Sequence, residues 1–466
     1  MKYRFIILIL LVSKALLAQE NPEGEIFTYQ EFMDIVQKHH PMSQQAALMV
    51  ERGEANFLKS KGNFDPKTFG TVDQKYFDGK NYYSQIHGGL KVPTWLGLDI
   101  AGGYETNDGL FLNPQENVPQ NGLWYAGLSL PVGQNLIVDQ RRTEVRKARI
   151  FRESTKVQQQ LMLNELLQKA GKAYWDWFRA YHAQEVYREA VEAASIRMDA
   201  VRKRAVIGER PRIDTLEAGL QLQNRQMSLR QATLEVNNTA LELSVYLWQE
   251  GTLPLELAEE TRPPEINTAL SADFVPLFND SLLNNHPALQ QYRYKVQELE
   301  LDRRLKRERL KPELNLKYNA LLEPMGDETW ANYNSANYTW GLEFSFPLFL
   351  RKERGDLKLA NIYVQETQLE LEYKQQALNN QMRSSINEWD AVNDQLDIST
   401  QMVEDYQGLL NGEQRKFNAG ESSLFLVNSR EVQLINSRIK FLELLSKREQ
   451  KELDILFSQG NLFSIY

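Results

Sequence analysis

The chain has 466 residues, with 54 Lys and Arg against 62 Asp and Glu for a formal charge of −8, and it has no cysteine. No basic block stands out, which removes the electrostatic footprint of a nucleic-acid binder, and without cysteine neither a disulfide nor a lipidated N-terminal Cys is possible. Beyond the N-terminal segment no run of about 18 apolar residues occurs, so any membrane crossing has to be made by strands.

Met1–Ala18 opens with Lys2 and Arg4, continues as an apolar run from Phe5 to Val12 that resumes over Ala15–Leu17, and ends on a small residue before Gln19. This is the form of a secretory signal cleaved after Ala18. Thr28 and Glu31 have capping-box spacing and start a helix predicted over Thr28–Lys61. A period of two then takes over. In Tyr82–Val92 the residues Tyr82, Ile86, Leu90 and Val92 oppose Gln85, His87 and Lys91, and in Trp124–Leu130 the residues Trp124, Leu128 and Leu130 oppose Tyr125, Gly127 and Ser129. From Asn135 to about Val206 the chain has no proline and is dense in Ala, Leu, Gln, Glu, Lys and Arg, which predicts one very long helix. At 1.5 Å per residue, roughly 70 residues span about 105 Å. Gly208 and Pro211 break it, and a shorter helix follows over Asp214–Gln249.

The same order then repeats. His40-Pro41 recurs as His286-Pro287 and Asp65-Pro66 as Lys311-Pro312, both shifted by 246 positions (40 to 286, 66 to 312). Ala148 maps onto Ala360 and Gly208 onto Gly420, both shifted by 212 (148 to 360, 208 to 420). The chain is therefore internally duplicated, with a first repeat over 19–265 and a second over 266–466, and the first has the longer strand region. In the second, strands are predicted over Glu313–Leu322 and Tyr338–Phe346, a long helix from about Lys352 to Phe417, a break at Gly420 and a shorter helix over Ser422–Ser458. Tyr338, Trp340, Leu342, Phe344 and Phe346 share one face while Thr339, Gly341, Glu343 and Ser345 share the other, over a length that suits a tilted transmembrane strand. Such alternation also fits a soluble sandwich with one wet face; Tyr and Trp at the strand ends, as in an interfacial girdle, favour lipid. The intervening Asn107–Gly122 and Glu323–Ala336 read as polar outside loops.

Leu220, Met227, Leu234, Leu241 and Trp248 recur every seven residues, as do Leu222, Leu229, Val236 and Leu243 on a stripe displaced by roughly 200°. The stripes return as Val432 and Ile439, and as Leu434 and Phe441. Two opposed apolar seams fit a helix buried in a bundle, or a helix with a neighbour on each side in a closed cylinder.

With these features in order, the chain resembles the TolC-type outer-membrane efflux proteins. The family's tip pattern of a glycine, an Asp six residues on and an Ala four later looks like Gly208, Asp214 and Ala218, and the joints Leu128-Ser-Leu-Pro131 and Phe344-Ser-Phe-Pro347, each followed by a basic stretch (Arg141-Arg142; Arg351-Lys352), are similar to its strand exits. The resemblance implies a mainly α protein with transmembrane β: a homotrimer whose long helical hairpins form a periplasmic α-barrel and whose strands form an outer-membrane β-barrel. It also implies a passive duct in outer-membrane lipid, working with a periplasmic adaptor (membrane fusion protein) and an inner-membrane transporter. The tips, with Gly208, Glu209, Arg210, Asp214, Ala218, Gly420, Glu421 and Ser422, would then dock the adaptor. Two departures stand out. Leu426 and Ser429 occupy the second tip where the family pattern has an Asp and, in some members, another acid. Two further strand-like runs, with Pro93–Gly97 as a turn, would raise the strand count above the family's four per protomer if both enter the barrel.

Chemistry finds little footing. The histidines His39, His40, His87, His182 and His286 show no metal-pair spacing, His40 and His286 read as helix-start turns before proline, and no P-loop, dinucleotide fingerprint or Gly-x-Ser-x-Gly elbow occurs. No catalytic, cofactor or metal residue is expected. The alternative functions are a periplasmic adaptor, which needs one helical hairpin flanked by β modules, and a coiled-coil structural envelope protein.

Overall fold

The structure, a computed structural model, describes residues 25–258, 260–266, 274, 285–324, 331–460 and 462–464. The signal segment and residues 325–330 of the second outside loop fall outside them. Thr28 closes the predicted capping box: its Oγ1 accepts from the Glu31 amide at 3.3 Å, and its own amide donates to the Glu31 carboxylate at 2.9 Å. The helix predicted over Thr28–Lys61 is in fact two, α1 (Tyr29–His39) and α2 (Pro41–Lys61). Pro41 has no amide to continue the ladder and drives His40 into an extended conformation at ψ 135°. His40 then caps α2, its Nδ1 accepting from the Met42 amide at 3.1 Å. Burial holds this histidine below its usual range, which keeps Nδ1 free to accept. His286 repeats the device, accepting from Ala288 at 3.1 Å ahead of α5 (Pro287–Glu308).

Strands β1 (Lys67–Phe77), β2 (Lys80–Pro93), β3 (Asp99–Asp108), β4 (Leu123–Pro131), β7 (Glu313–Pro324) and β8 (Ala331–Ser345) form one antiparallel sheet in the order β1-β2-β3-β4-β7-β8. Both extra runs of the first half therefore join it, giving six strands rather than four. Asp78 and Gly79 turn β1 into β2 with φ of 52° and 68°, the mirror-image geometry that follows the right-handed twist of a hairpin. The second hairpin is linked at Thr94, whose amide and Oγ1 both donate to the Leu98 carbonyl, at 3.0 and 2.6 Å.

The long helix α3 spans Gln140–Val206 and starts five residues later than its composition suggests. Asn135 takes a left-handed φ of 72°, and the loop it begins is tied down by Arg142, which donates to the Asn135 and Leu136 carbonyls at 2.8 and 2.7 Å and to Asp139 at 3.1 Å. Arg141 reaches Asp99 on β3 at 2.9 Å. The basic pair after the strand exit is thus the clamp of the strand-to-helix joint. The other helices are α4 (Arg212–Ser244), α6 (Arg351–Asn418) and α7 (Leu424–Ser458). Helix α4 stops short of Gln249 because Trp248-Gln249 (β5) pairs with Leu253-Pro254 (β6) across Gly251 and Thr252, both at positive φ.

Two compact units arise, each drawing on both halves of the sequence: one holds Ala47–Gln159 and Asn284–Ala377, the other the remaining segments. The sheet belongs to the first. The second is centred on an aromatic core in which Tyr174 stacks on Phe32 at 5.6 Å and packs edge-on to Trp175 and Trp177; the buried Tyr174 hydroxyl donates to the Phe27 carbonyl at 2.8 Å. In α4 the Leu222, Leu229, Val236 and Leu243 stripe turns inward, ending in the fully buried Leu243, whereas Leu220, Met227, Leu234 and Leu241 are exposed. Trp248, predicted on that second stripe, lies past the helix in β5.

On α7, burial and then the nearby Glu449 charge push the Glu452 carboxyl from 4.5 up to about 7, and its Oε2 is buried without a hydrogen-bond partner among the described residues. Between pH 4.5 and 7 the folded chain holds a proton that the unfolded chain has released, so stability falls as pH rises through that window. Glu452→Gln should flatten this dependence and raise the melting temperature at pH 8 but not at pH 4.5, as read by thermal unfolding in detergent.

Candidate functional site

The two helix reversals predicted as tips are built alike. Gly208 and Gly420 have φ of 80° and 81°, and each closes a Schellman motif. The Gly208 amide donates to Ala205 at 3.3 Å and the Glu209 amide to Arg204 at 2.9 Å; the Gly420 amide donates to Phe417 at 3.1 Å and the Glu421 amide to Lys416 at 2.9 Å. The four bonds superpose at the shift of 212 between the repeats. Nothing lies within 4 Å of a Cβ built on either glycine, so backbone conformation alone demands Gly. Replacing Gly208 or Gly420 by Ala should therefore cost about 1–2 kcal/mol, measured by chemical denaturation, with no repacking visible in the near-ultraviolet spectrum.

The tip residues divide into bound and free. Glu209 and Glu421 are exposed. Arg210, expected with the other tip residues to meet an adaptor, is engaged within the chain: it lies 3.9 Å from Asp214 and stacks over the Phe417 ring of the other reversal at 4.5 Å. Ser422 donates to Glu413, and Ser423 rather than Ser422 caps α7, accepting from the Leu426 amide at 3.4 Å. Ala218 is buried with Val201 and Leu424, which explains a small residue four positions after Asp214. Around these polar groups stand apolar side chains left open to solvent, among them Val206, Ile207, Ile213 and Leu216 on one reversal and Phe425 on the other. Leu426, where the family pattern has an acid, is also exposed.

Behind the tips lies a polar junction that the sequence reading missed. Arg197 of α3 makes two hydrogen bonds to Glu431 of α7, at 2.8 and 3.0 Å. Asn428 accepts from Arg197 at 3.2 Å and donates to Glu217 of α4 at 3.1 Å. Arg225 of α4, 8% exposed, comes within 3.9 Å of Glu431. A signal for it exists: Arg225 stands in a buried heptad otherwise made of Ala218, Ala232 and Thr239, and a charge in a stripe of small residues needs an internal partner.

On β8, Tyr338, Trp340, Leu342 and Phe344 are all exposed on one face, level with Ala320, Tyr318, Leu316 and Leu314 of β7; Phe346 comes just past the last strand residue, Ser345. The other face is polar, with Glu343 3.3 Å from Lys317 and Asn319 donating to Thr339 at 3.1 Å. The apolar face continues through Leu128, Trp124, Ile100, Leu90 and Ile86, all exposed. No helix among the described residues is long and apolar enough to cross a membrane, and no group of three or more His, Asp or Glu among them is placed to hold a metal.

The profile of the family described as outer membrane efflux protein matches residues 279–461. No relative is found among curated protein sequences. Among solved structures, the fold matches the CmeC outer membrane channel of Campylobacter jejuni (TM-score 0.66, 12% identity, covering 93% of this chain and 85% of that one). It also matches the outer membrane protein VceC of Vibrio cholerae (0.66, 12%, 92% and 95%) and the open state of the MtrE outer membrane channel of Neisseria gonorrhoeae (0.67, 13%, 93% and 89%). The resemblance read from the sequence is thereby borne out: the chain has the TolC-type fold of these outer-membrane channels, an α-barrel and β-barrel architecture, and carries the outer membrane efflux protein domain in its second half.

Proposed function

We propose that the chain is the outer-membrane channel of a tripartite efflux or type I secretion system, a passive exit duct for small molecules or proteins across the periplasm and outer membrane. The observation that carries this reading is the six-stranded sheet with an exposed aromatic and aliphatic face and a polar reverse, in one chain with two long helical hairpins. An apolar face on a sheet needs lipid or a second layer, and the strands that bear it have the lengths of membrane strands. A duct needs no catalytic group, so energy enters through partners: an inner-membrane transporter, coupled by a periplasmic adaptor. The open Leu220, Met227, Leu234 and Leu241 stripe supports a homotrimer, in which it meets the next copy. An adaptor would have one helical hairpin flanked by β modules; two hairpins and a single large sheet speak against that alternative. The protein should fractionate with the outer membrane and run as a trimer in detergent, and a chain recovered only as a soluble monomer would sink the reading.

If β8 faces lipid, Leu342→Arg should destabilise the assembly by about 2–4 kcal/mol, whereas Glu343→Gln should be mild because it faces the lumen; heat-modifiability of the detergent-extracted trimer reads the difference. Equal damage on both faces would point instead to a second protein layer.

The adaptor contact is assigned to the two tips, with Gly208, Glu209, Arg210, Asp214, Ala218, Gly420, Glu421 and Ser422. The exposed apolar side chains beside them support this, since an apolar patch rimmed by charge suits a protein partner. Glu209→Lys and Glu421→Lys are the clean probes, because Arg210 also holds Asp214 and Phe417. These variants should lose efflux and adaptor cross-linking while keeping trimer yield. Normal export would show that the adaptor docks elsewhere.

A further inference from the structure

The sheet ends in two open edges. Among the described residues β1 pairs only with β2, and β8 only with β7. The devices by which soluble sheets blunt an edge are sparse here: β1 and β8 contain no proline, β8 contains no lysine while β1 has Lys67 and Lys75, and the register shifts of the two outer hairpins fall at Lys75/Tyr76 and Ala320/Leu322, toward the strand ends away from the helices. In hydrocarbon an unpaired row of amides and carbonyls is not tolerated, and six strands are too few to close on themselves. The edges also run in opposite directions, so a β1 laid beside a β8 extends the antiparallel order without interruption.

We infer that β1 of one copy pairs with β8 of the next, and that the barrel closes from six strands per copy. With the three copies of the proposed function, on which the count rests, this makes eighteen strands instead of the twelve that four per copy would give. The register follows from the sheet itself. Stepping straight across the strands, Lys67 is level with Lys91, then Ala101, Gly127, Asn319 and finally Thr339. Thr339 lies six residues before the end of β8 at Ser345, although Lys67 is the first residue of β1. The strand ends that adjoin the helices therefore climb by six residues from one edge to the other. Setting Lys67 beside Ser345 of the neighbouring copy brings those ends together and shifts each copy by six residues over six strands. With about 3.3 Å per residue and about 4.8 Å between strands, that stagger is a tilt of about 35°, which is the tilt at which barrels close.

The shift is even, so the faces stay matched. Outward, Thr68, Gly70 and Val72 come beside Phe344, Leu342 and Trp340 of the next copy, small or β-branched against large. Inward, Phe69, Thr71 and Asp73 come beside Glu343, Gly341 and Thr339, and no like charges oppose each other. The bore widens with strand number, from about 22 Å between backbones for twelve strands to about 34 Å for eighteen at the same spacing and tilt. The extra hairpin keeps its inward side low: a Cβ on Gly89 would lie 2.9 Å from the Phe69 ring and one on Gly103 2.7 Å from the Tyr125 hydroxyl, so both rings lie flat against the sheet, with His87 2.9 Å from that hydroxyl. The exit at the outer membrane is then not the narrow point of the duct.

Cysteine pairs test this in the full chain, which has none of its own. Thr71→Cys combined with Gly341→Cys, a position with open space for a Cβ, should give covalently linked dimers and trimers on non-reducing gels, and Thr71→Cys with Leu342→Cys, on opposite faces, should not. A trimer by mass in which Thr71→Cys links to none of Thr339→Cys, Gly341→Cys and Glu343→Cys overturns the edge pairing and leaves the channel reading intact. A detergent-solubilised monomer overturns both. Electron microscopy of the unmodified trimer should count eighteen strands, and twelve with a peripheral hairpin would refute the closure.

Discussion

Inside a bilayer no water is available to an unpaired amide or carbonyl, and this one constraint orders most of what the strand-bearing unit does. Every pair of neighbouring strands in the six-stranded sheet is antiparallel, and β2 passes to β3 through the short link held by Thr94 and Leu98. The constraint also dictates the alternation of side chains: with all backbone groups tied into the ladder, only the side chains can tell lipid from lumen. Tyr338, Trp340, Leu342 and Phe344 face one way, and Thr339, Gly341, Glu343 and Ser345 the other. The same requirement asks for a partner strand at each of the sheet's two edges, β1 and β8, if the sheet lies in lipid as proposed.

The helices meet the constraint differently, because each satisfies its own backbone and needs partners only at its ends. The ends are where the chain spends its specific residues. Asp139 and Arg142 tie the loop between β4 and α3, His40 and His286 cap helices whose first residue is proline, and Gly208 and Gly420 end the long helices with identical hydrogen bonds. Between those ends, side chains decide packing. Small residues in the buried heptad of α4 allow close approach, and the one charge among them, Arg225, is matched by Glu431, itself held by Arg197. In a buried ionic junction of this kind the cost of taking the charges out of water offsets much of their attraction, so it adds little to net stability.

Periodicity and end signals are local properties, and these the sequence by itself determined. The strands around Trp124 and Tyr338, the two long helices, the reversals at Gly208 and Gly420 and the capping box at Thr28 were legible because each depends on residues within a few positions of one another. Proline and glycine recur at the shifts of 246 and 212, and at those places the structure has like caps at His40 and His286 and like turns at Gly208 and Gly420. Where the reading slipped, a longer-range or stereochemical term had intervened. Pro41 splits a helix whose composition is helical throughout, and the β5–β6 pairing stops α4 before Trp248, whose heptad spacing alone would have kept it in the helix. What only the tertiary structure decided is which groups meet across distant segments: that both extra strands enter the sheet, that Arg210 is occupied by Asp214 and Phe417, and that Arg225 finds Glu431. The physical reason is that alternation fixes which face a residue shows but not which strand lies beside it, and a charge on a helix shows its need for a partner without showing where that partner is.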